Sequence, residues 1–295
     1  QAHDIAVGDR RVYSATFPAG LTGTIALQLA GRESSVLLVE AEPPPRGVFE
    51  ALTGRTSADA EPPISENEPM YFIVGTRGGS SARFQLSFKY RLFDPTSGFG
   101  RERNWLSGIY FGYTQNSLWD LSGESRPFRD TSYRPSLFWR WQRTDDQTWI
   151  DEFRAGYEHE SNGGADRGSR SIDTLFVRPE WHWKLEDDAR LEFTPKYYAY
   201  LDKKENPDID RYRGRIDWRL RYDSGLNWIT TGTVRLSREG KGSVLLDLSR
   251  RIRDLRFGPV GGYLHIQYFS GYGEDILGYN QQRKSQLRIG FAIVP

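Results

Sequence analysis

The chain has 295 residues, no cysteine, one methionine and a net charge of +1. The lack of cysteine excludes disulfides and any thiolate or cysteine–zinc site, and the balanced charge argues against a nucleic-acid-binding surface. Only 37% of residues are hydrophobic and no run of eighteen is apolar, so a bundle of transmembrane helices is excluded as well. A membrane β-barrel stays compatible with this composition, because each strand shows lipid only alternate side chains and fills its lumen with polar ones. The aromatic share, 14% with nine Trp and sixteen Tyr, is far above that of an average soluble domain.

The start, Gln1-Ala2-His3-Asp4, carries neither a basic n-region nor an apolar h-region, so a signal peptide is expected to be absent or already removed. Short alternating runs follow, Thr24–Leu29 and Ser35–Glu40, and then Pro43-Pro44-Pro45 and the turn-rich stretch Thr56–Glu68 read as linker. Residues 1–66 are thus a β-rich N-terminal extension, and residues 67–295 form a second region. There the chain becomes a succession of segments of about ten residues with period-two alternation, twelve in all, the pattern of an antiparallel transmembrane β-barrel. In 211–222, Arg211, Arg213, Arg215, Asp217, Arg219 and Arg221 alternate with Tyr212, Gly214, Ile216, Trp218, Leu220 and Tyr222. The last strand sets Leu287, Ile289, Phe291 and Ile293 against Arg288, Gly290 and Ala292.

Connections are expected to alternate in length, as in bacterial barrels. Short joints fall near Thr144–Gln147, Leu185–Asp188, Asp223–Gly225 and Arg253–Asp254, and longer ones near Leu118–Ser132, Ser161–Ser171, Asp202–Ile209 and Gly271–Arg283. With an even strand number both termini lie on the short-turn side, which places residues 1–66 in the periplasm.

The strand at about 148–160 carries Phe153, Ala155, Tyr157, His159 and, one step on, Ser161 on its apolar face, with Glu152, Arg154, Glu158 and Glu160 on the other. On the next strand Asp173 shares its face with Leu175 and Val177. Three polar groups turned toward lipid are costly unless paired. A hydroxyl, an imidazole and a carboxylate at one level have the composition of a hydrolytic triad, in which the acid holds the tautomer of the base that activates the nucleophile.

The run His159-Glu160-Ser161-Asn162-Gly163, followed by Ser169-Arg170-Ser171-Ile172-Asp173, closely resembles the active-site segment of the outer-membrane phospholipase A family. The likeness continues in Tyr113-Thr114-Gln115-Asn116-Ser117, Pro127-Phe128-Arg129-Asp130-Thr131, Asn206-Pro207-Asp208-Ile209 and Ser270-Gly271-Tyr272-Gly273-Glu274, in order along residues 68–295. It implies a twelve-stranded barrel in the bacterial outer membrane that hydrolyses phospholipid acyl esters at either glycerol position, dependent on calcium and active as a homodimer, with latent monomers. By matching motifs Ser161 is the nucleophile, His159 the base, and the Gly163 N–H an oxyanion donor. Calcium would take backbone oxygens of Gly164 and Ser169 and the Ser125 hydroxyl of the partner subunit, and Gln115 would lie at the dimer interface. Two positions depart from the family pattern: Asp173 stands where asparagine is common, and Gly164 where arginine is.

Two other readings compete. A channel or structural barrel would carry the same alternation with an idle triad. A soluble carbohydrate-binding sandwich would use the aromatics but leaves the outward rings and alternating arginines without a reason. Trp105, Trp139, Trp149 and Trp218 fit interfacial girdles.

Overall fold

The computed structural model describes residues 23–28, 36–41, 61–76, 80–143, 148–225, 227–237, 239–257 and 260–295. The chain divides into two compact units, Gln1–Pro45 and Arg46–Pro295. In the first, β1 (Gly23–Gln28) and β2 (Val36–Ala41) pair as an antiparallel hairpin, the two alternating runs expected there. The linker residues 43–45 and 56–60 lie outside the described residues.

The second unit is a closed antiparallel barrel of twelve staves. After the two-residue β3 (Ile64–Ser65) the wall runs through β4 (Met70–Gly75), β5 (Ser81–Arg91), β6 (Ile109–Asp120), β7 (Phe128–Gln142), β8 (Glu152–Ser161) and β9 (Ser171–Lys184). It continues through β10 (Arg190–Phe193) and β11 (Lys196–Asp202), then β12 (Ile216–Asp223), β13 (Trp228–Leu236), β14 (Gly242–Phe257), β15 (Val260–Gly271) and β16 (Arg283–Val294). Each stave pairs with the next in sequence, and β16 closes the circle on β4. β10 and β11 together make one stave, since both pair with β9 and β12. Between them stands Pro195, which has no N–H to give to a ladder.

Alternation decides which side of the wall each residue faces. Phe72, Leu86, Phe111, Leu137, Leu175, Leu220, Leu246, Leu287 and Phe291 are exposed on the outer surface, whereas Arg83, Lys89, Glu152, Arg154, Glu160, Gln267 and Arg288 are buried. A water-soluble protein does not leave so many large apolar side chains uncovered. The lumen is crossed by ion pairs: Glu152 with Arg140 and Arg154, Lys196 with Glu158, Arg213 with Glu160, Arg235 with Asp217, and Arg288 with Glu274. The space left is a cavity of about 200 Å³, small beside the water-filled channel of a porin.

Several sequence expectations shift in detail. Residues 211–215 do not extend the strand: Asp210–Arg213 is a helical turn, Gly214 takes φ 69°, and β12 begins only at Ile216. The chain must reverse there after the outer loop, and the left-handed backbone at 214 suits glycine. Arg213 still reaches the lumen, where it meets Glu160 at 2.9 Å. The short joint expected at Arg253–Asp254 falls inside β14, which runs to Phe257 with an irregular register between Ile252 and Arg256. The joint at 144–147 lies outside the described residues. On the side of the C-terminus the β5–β6 connection is long, and it contains α1 (Gly98–Glu102) and a 3-10 turn over Asn104–Gly108. Ring contacts join Trp149, Trp181, Phe193 and Trp218, and Trp105, Trp149 and Trp218 are exposed as girdle residues would be.

Residues 61–69 enter the barrel interior. Glu61 pairs with Lys89 at 2.8 Å, Arg91 at 3.1 Å and Arg140 at 2.6 Å, and accepts a hydrogen bond from Tyr110 Oη at 2.9 Å. Asn67 Oδ1 accepts from Arg154 at 3.0 Å, and Glu68 pairs with Arg134. Burial would raise the Glu61 carboxyl, but Lys89 and Arg140 override it and hold the group well below the usual carboxylate range. A depressed carboxyl contributes stability above its ordinary value of 4.5, and that contribution disappears as pH falls through the folded value. Glu61→Gln is therefore expected to destabilise the detergent-solubilised barrel at pH 7 by about 3 kcal/mol. Thermal unfolding followed by gel mobility should show the gap between variant and wild type narrowing as pH drops below 4.5.

Candidate active site

The site is built by the pairing of β8 with β9. Their register sets His159 opposite Asp173 and Ser161 opposite Ser171. On β8, Tyr157, His159 and Ser161 are spaced by two, so all three project from the same outer face. His159 and Asp173 are both about one-third exposed, with side-chain values of 34% and 29%, and Leu137, Leu175 and Val177 around them are exposed apolar residues.

His159 Nδ1 lies 2.8 Å from Asp173 Oδ1. With the proton on Nδ1 this is a donor–carboxylate bond, and the Nε2 lone pair is left free to act as a base. The same Asp173 Oδ1 accepts a hydrogen bond from the Tyr157 phenol. Ser161 stands two positions beyond His159, roughly 7 Å along the strand. Its hydroxyl has no hydrogen-bond partner among the described residues, so the imidazole and the carboxylate are joined while the hydroxyl shares their face without bonding to them. On the other side Tyr133 of β7 is the register partner of Ser161, and its ring also approaches Gly163.

The loop after Ser161 is organised by one side chain. Asn162 Oδ1 accepts from the backbone N–H of Gly164 at 3.1 Å and of Arg170 at 3.0 Å, while its Nδ2 donates to Gly168 O at 2.9 Å. Gly163 holds φ 64°, a left-handed backbone that favours glycine. Within the loop Ser169 Oγ donates to Glu205, 3.0 Å from Oε1 and 3.1 Å from Oε2. Ser125 lies on the separate loop between β6 and β7, exposed and at φ 61°. Among the described residues, then, Gly164 and Ser169 share one loop and Ser125 does not.

Behind the site the outer loops close over the barrel. Asn206 is fully buried and donates from Nδ2 to Ser171 O at 2.8 Å, directly at the register partner of Ser161. Ile172, the inward neighbour of Asp173, packs with Ile209, Ile276 and Tyr279. Gln115 stays on the outer face of β6, where its amide accepts from Tyr113 Oη at 3.1 Å and donates to Ser117 Oγ at 3.3 Å.

A family model described as phospholipase A1 matches residues 55–294. Phospholipase A1 of Escherichia coli strain K12 is 32% identical over 218 residues, 72% of this chain and 68% of that protein. Phospholipase A1 of Proteus vulgaris is 33% identical over 223 residues, with the same shares covered. The chain belongs to the phospholipase A1 family. The solved outer membrane phospholipase A from Escherichia coli superposes with a TM-score of 0.64 at 25% identity, covering 80% of this chain and 94% of that one. An outer membrane phospholipase dimer from Salmonella typhi, solved with bound calcium, has the same fold, with a TM-score of 0.64 at 24% identity over 81% of this chain and 93% of that one.

Three contributors to this phospholipase-family site carry no signal in alternation alone: Tyr157, Asn162 and Asn206. Asn162 and Asn206 stand in the motif runs, but their bonds to loop and strand backbone become visible only with the fold. One more group of potential metal ligands, Glu180, His182 and Glu192, lies toward the opposite end of β9. There the 2.7 Å contact of His182 Nε2 with Glu180 accounts for the cluster as an ion pair.

Asn162→Ala is expected to free the loop while leaving the barrel folded. Amide exchange at Gly164 and Arg170 should rise by about tenfold, the effect of losing one backbone-to-side-chain bond, with no change in the unfolding temperature. Mass-spectrometric exchange of the protein in micelles measures both.

Proposed function

We propose that this protein is a calcium-dependent outer-membrane phospholipase that cleaves acyl esters of phospholipids and lysophospholipids with Ser161, His159 and Asp173. The observation that carries the reading is the outward-facing His159–Asp173 bond, with Ser161 on the same lipid-side face. Ionisable groups are costly beside hydrocarbon, and a substrate that diffuses laterally within the bilayer supplies the reason for placing them there. The lumen is crowded with ion pairs, which disfavours the channel reading; it also holds a serine–histidine–aspartate set, Ser249 Oγ 2.7 Å from His265 Nδ1 and Asp247 Oδ1 3.2 Å from its Nε2, but Ser249 and His265 are buried away from lipid.

In this mechanism Ser161 Oγ attacks the acyl carbon while its proton passes to His159 Nε2. Asp173 fixes the Nδ1–H tautomer and stabilises the imidazolium that forms. The negative charge on the acyl oxygen is met by the Gly163 N–H, a type of contact typically worth about 3–4 kcal/mol. Collapse of the intermediate breaks the ester C–O bond, and His159 returns its proton to the departing glycerol oxygen. Water then attacks the acyl carbon as His159 takes its proton, the acyl C–Oγ bond breaks, and His159 returns the proton to Ser161 Oγ as the fatty acid leaves.

The residues near the nucleophile fit calcium. The backbone oxygens of Gly164 and Ser169, on one loop beside the Glu205 carboxylate that Ser169 Oγ meets, would give oxygen donors, which suit a hard cation, once Ser169 O exchanges its bond from the Arg170 guanidinium for the ion; Ser125 would come from the partner subunit of a homodimer. Bound there, calcium would supply positive charge close to the developing oxyanion. Gln115 on the outer wall of β6 is the proposed contact between protomers, exchanging its bonds to Tyr113 and Ser117 for bonds across the interface. Monomers lacking the partner's Ser125 would be latent. In this orientation the long outer loops face the cell exterior and the C-terminal end of β16 faces the periplasm.

Fatty-acid release from phosphatidylcholine in mixed micelles tests the reading. Wild type should be active with calcium and silent with chelator, and Ser161→Ala should lose activity by a factor of at least about 10³. Asp173→Ala should fall by orders of magnitude, whereas Asp173→Asn, which keeps an acceptor for Nδ1–H, should retain most activity. Normal activity in Ser161→Ala, or in both Asp173 variants, would contradict the assignment of those residues.

A further inference from the structure

The third member of the triad raises a problem of its own. Asparagine can accept the Nδ1–H of histidine without carrying charge, whereas Asp173 places a carboxylate on the lipid-facing wall. A carboxylate beside hydrocarbon is disfavoured unless donors meet its oxygens. It can also rotate, because its two oxygens are equivalent acceptors and nothing in the His159 bond alone selects one.

A second donor is present. The Tyr157 phenol donates to Asp173 Oδ1, the oxygen that also receives His159 Nδ1. Tyr157 precedes His159 by two on β8, so the phenol and the imidazole leave the same face of one strand and converge on one residue of the next. Tyr157 is 39% exposed, and the tyrosine side chain is suited to this position, with an apolar ring for lipid and a polar tip for the carboxylate. The other titratable groups that flank this contact from neighbouring strands do not replace it. Tyr133 on β7 stands opposite Ser161, not Asp173. Asp202 on β11 is the register partner of Asp173 but is paired with Lys204 at 3.2 Å.

We infer that Tyr157 is a positioning residue for the hydrolysis: it clamps Asp173 against His159 and so keeps the imidazole in the tautomer that leaves Nε2 free. This rests on the triad reading above. Tyr157 touches neither substrate nor the reacting atoms; it acts through Asp173 alone. A tyrosine that served only as an interfacial ring would act independently of Asp173, which separates the two roles.

The test is a double-mutant cycle on the full-length protein in micelles with calcium, using wild type, Tyr157→Phe, Asp173→Ala and the double variant. Tyr157→Phe keeps the ring and removes only the hydroxyl. It is expected to lower kcat by about tenfold, the size of one hydrogen bond to a charged group, with KM unchanged. In the Asp173→Ala background the same substitution should cost less than about twofold, since there is no carboxylate to hold. An equal loss in both backgrounds, or a loss confined to KM, would overturn the proposal.

A second measurement needs no activity. Nitrogen NMR of labelled histidine above the imidazole titration should find His159 as the Nδ1–H tautomer in wild type and as a mixture in both Tyr157→Phe and Asp173→Ala. An unchanged tautomer in Tyr157→Phe would overturn the proposal even if every variant were too slow to assay. Full activity in Ser161→Ala would instead defeat the triad reading, and the NMR result would still report separately on the Tyr157–Asp173 contact.

Discussion

The register of two neighbouring strands is the constraint on which the outward-facing site depends. Because β8 pairs with β9 so that His159 faces Asp173, an imidazole and a carboxylate meet on the outside of the barrel. A shift of that pairing by one residue would turn either side chain into the lumen. There Glu158 and Glu160 already hold Lys196 and Arg213, and the site would lose both its acid–base pair and its access to lipid. The wall is thus the scaffold of the chemistry, and the ion pairs inside it help to hold that wall in one register.

The lumen and the outer loops work to the same end. Polar side chains that alternate with lipid-facing ones must go inward, and they satisfy one another there as pairs such as Arg235–Asp217 and Arg140–Glu152. Pairs of this kind add little net stability compared with apolar packing, but losing one partner is costly, so the interior resists rearrangement. At the outer end Asn206 binds the backbone of Ser171, and Ile172 packs under Ile209 and Ile276. The strand that carries Asp173 is therefore supported from behind while its front faces the bilayer.

Much of this was legible in the sequence. Strict alternation predicted the barrel, and period two alone put His159, Ser161 and Asp173 on the lipid side. What escaped were features that depend on contacts between distant residues or on local turns. Residues 211–215 alternate as well as any strand, yet Gly214 and the reversal after the outer loop make 210–213 a helical turn. Glu61 lay in what reads as linker, and only the closed barrel shows it meeting cations from β5 and β7. Tyr157 reads only as one more ring on the apolar face of its strand, because the pattern of one strand cannot show that its hydroxyl reaches the next. Asn162 and Asn206 matched family motifs without revealing that their work is to hold backbone.

If Ser161 is the nucleophile and faces lipid beside the His159–Asp173 pair, covalent capture will report it. The protein in calcium-containing micelles would be treated with a long-chain alkylsulfonyl fluoride and the modified peptide identified by mass spectrometry. Stoichiometric sulfonylation at Ser161 alone, dependent on an intact His159, is the expected result. Absence of labelling in an active preparation, or labelling at another serine with Ser161 untouched, would contradict it.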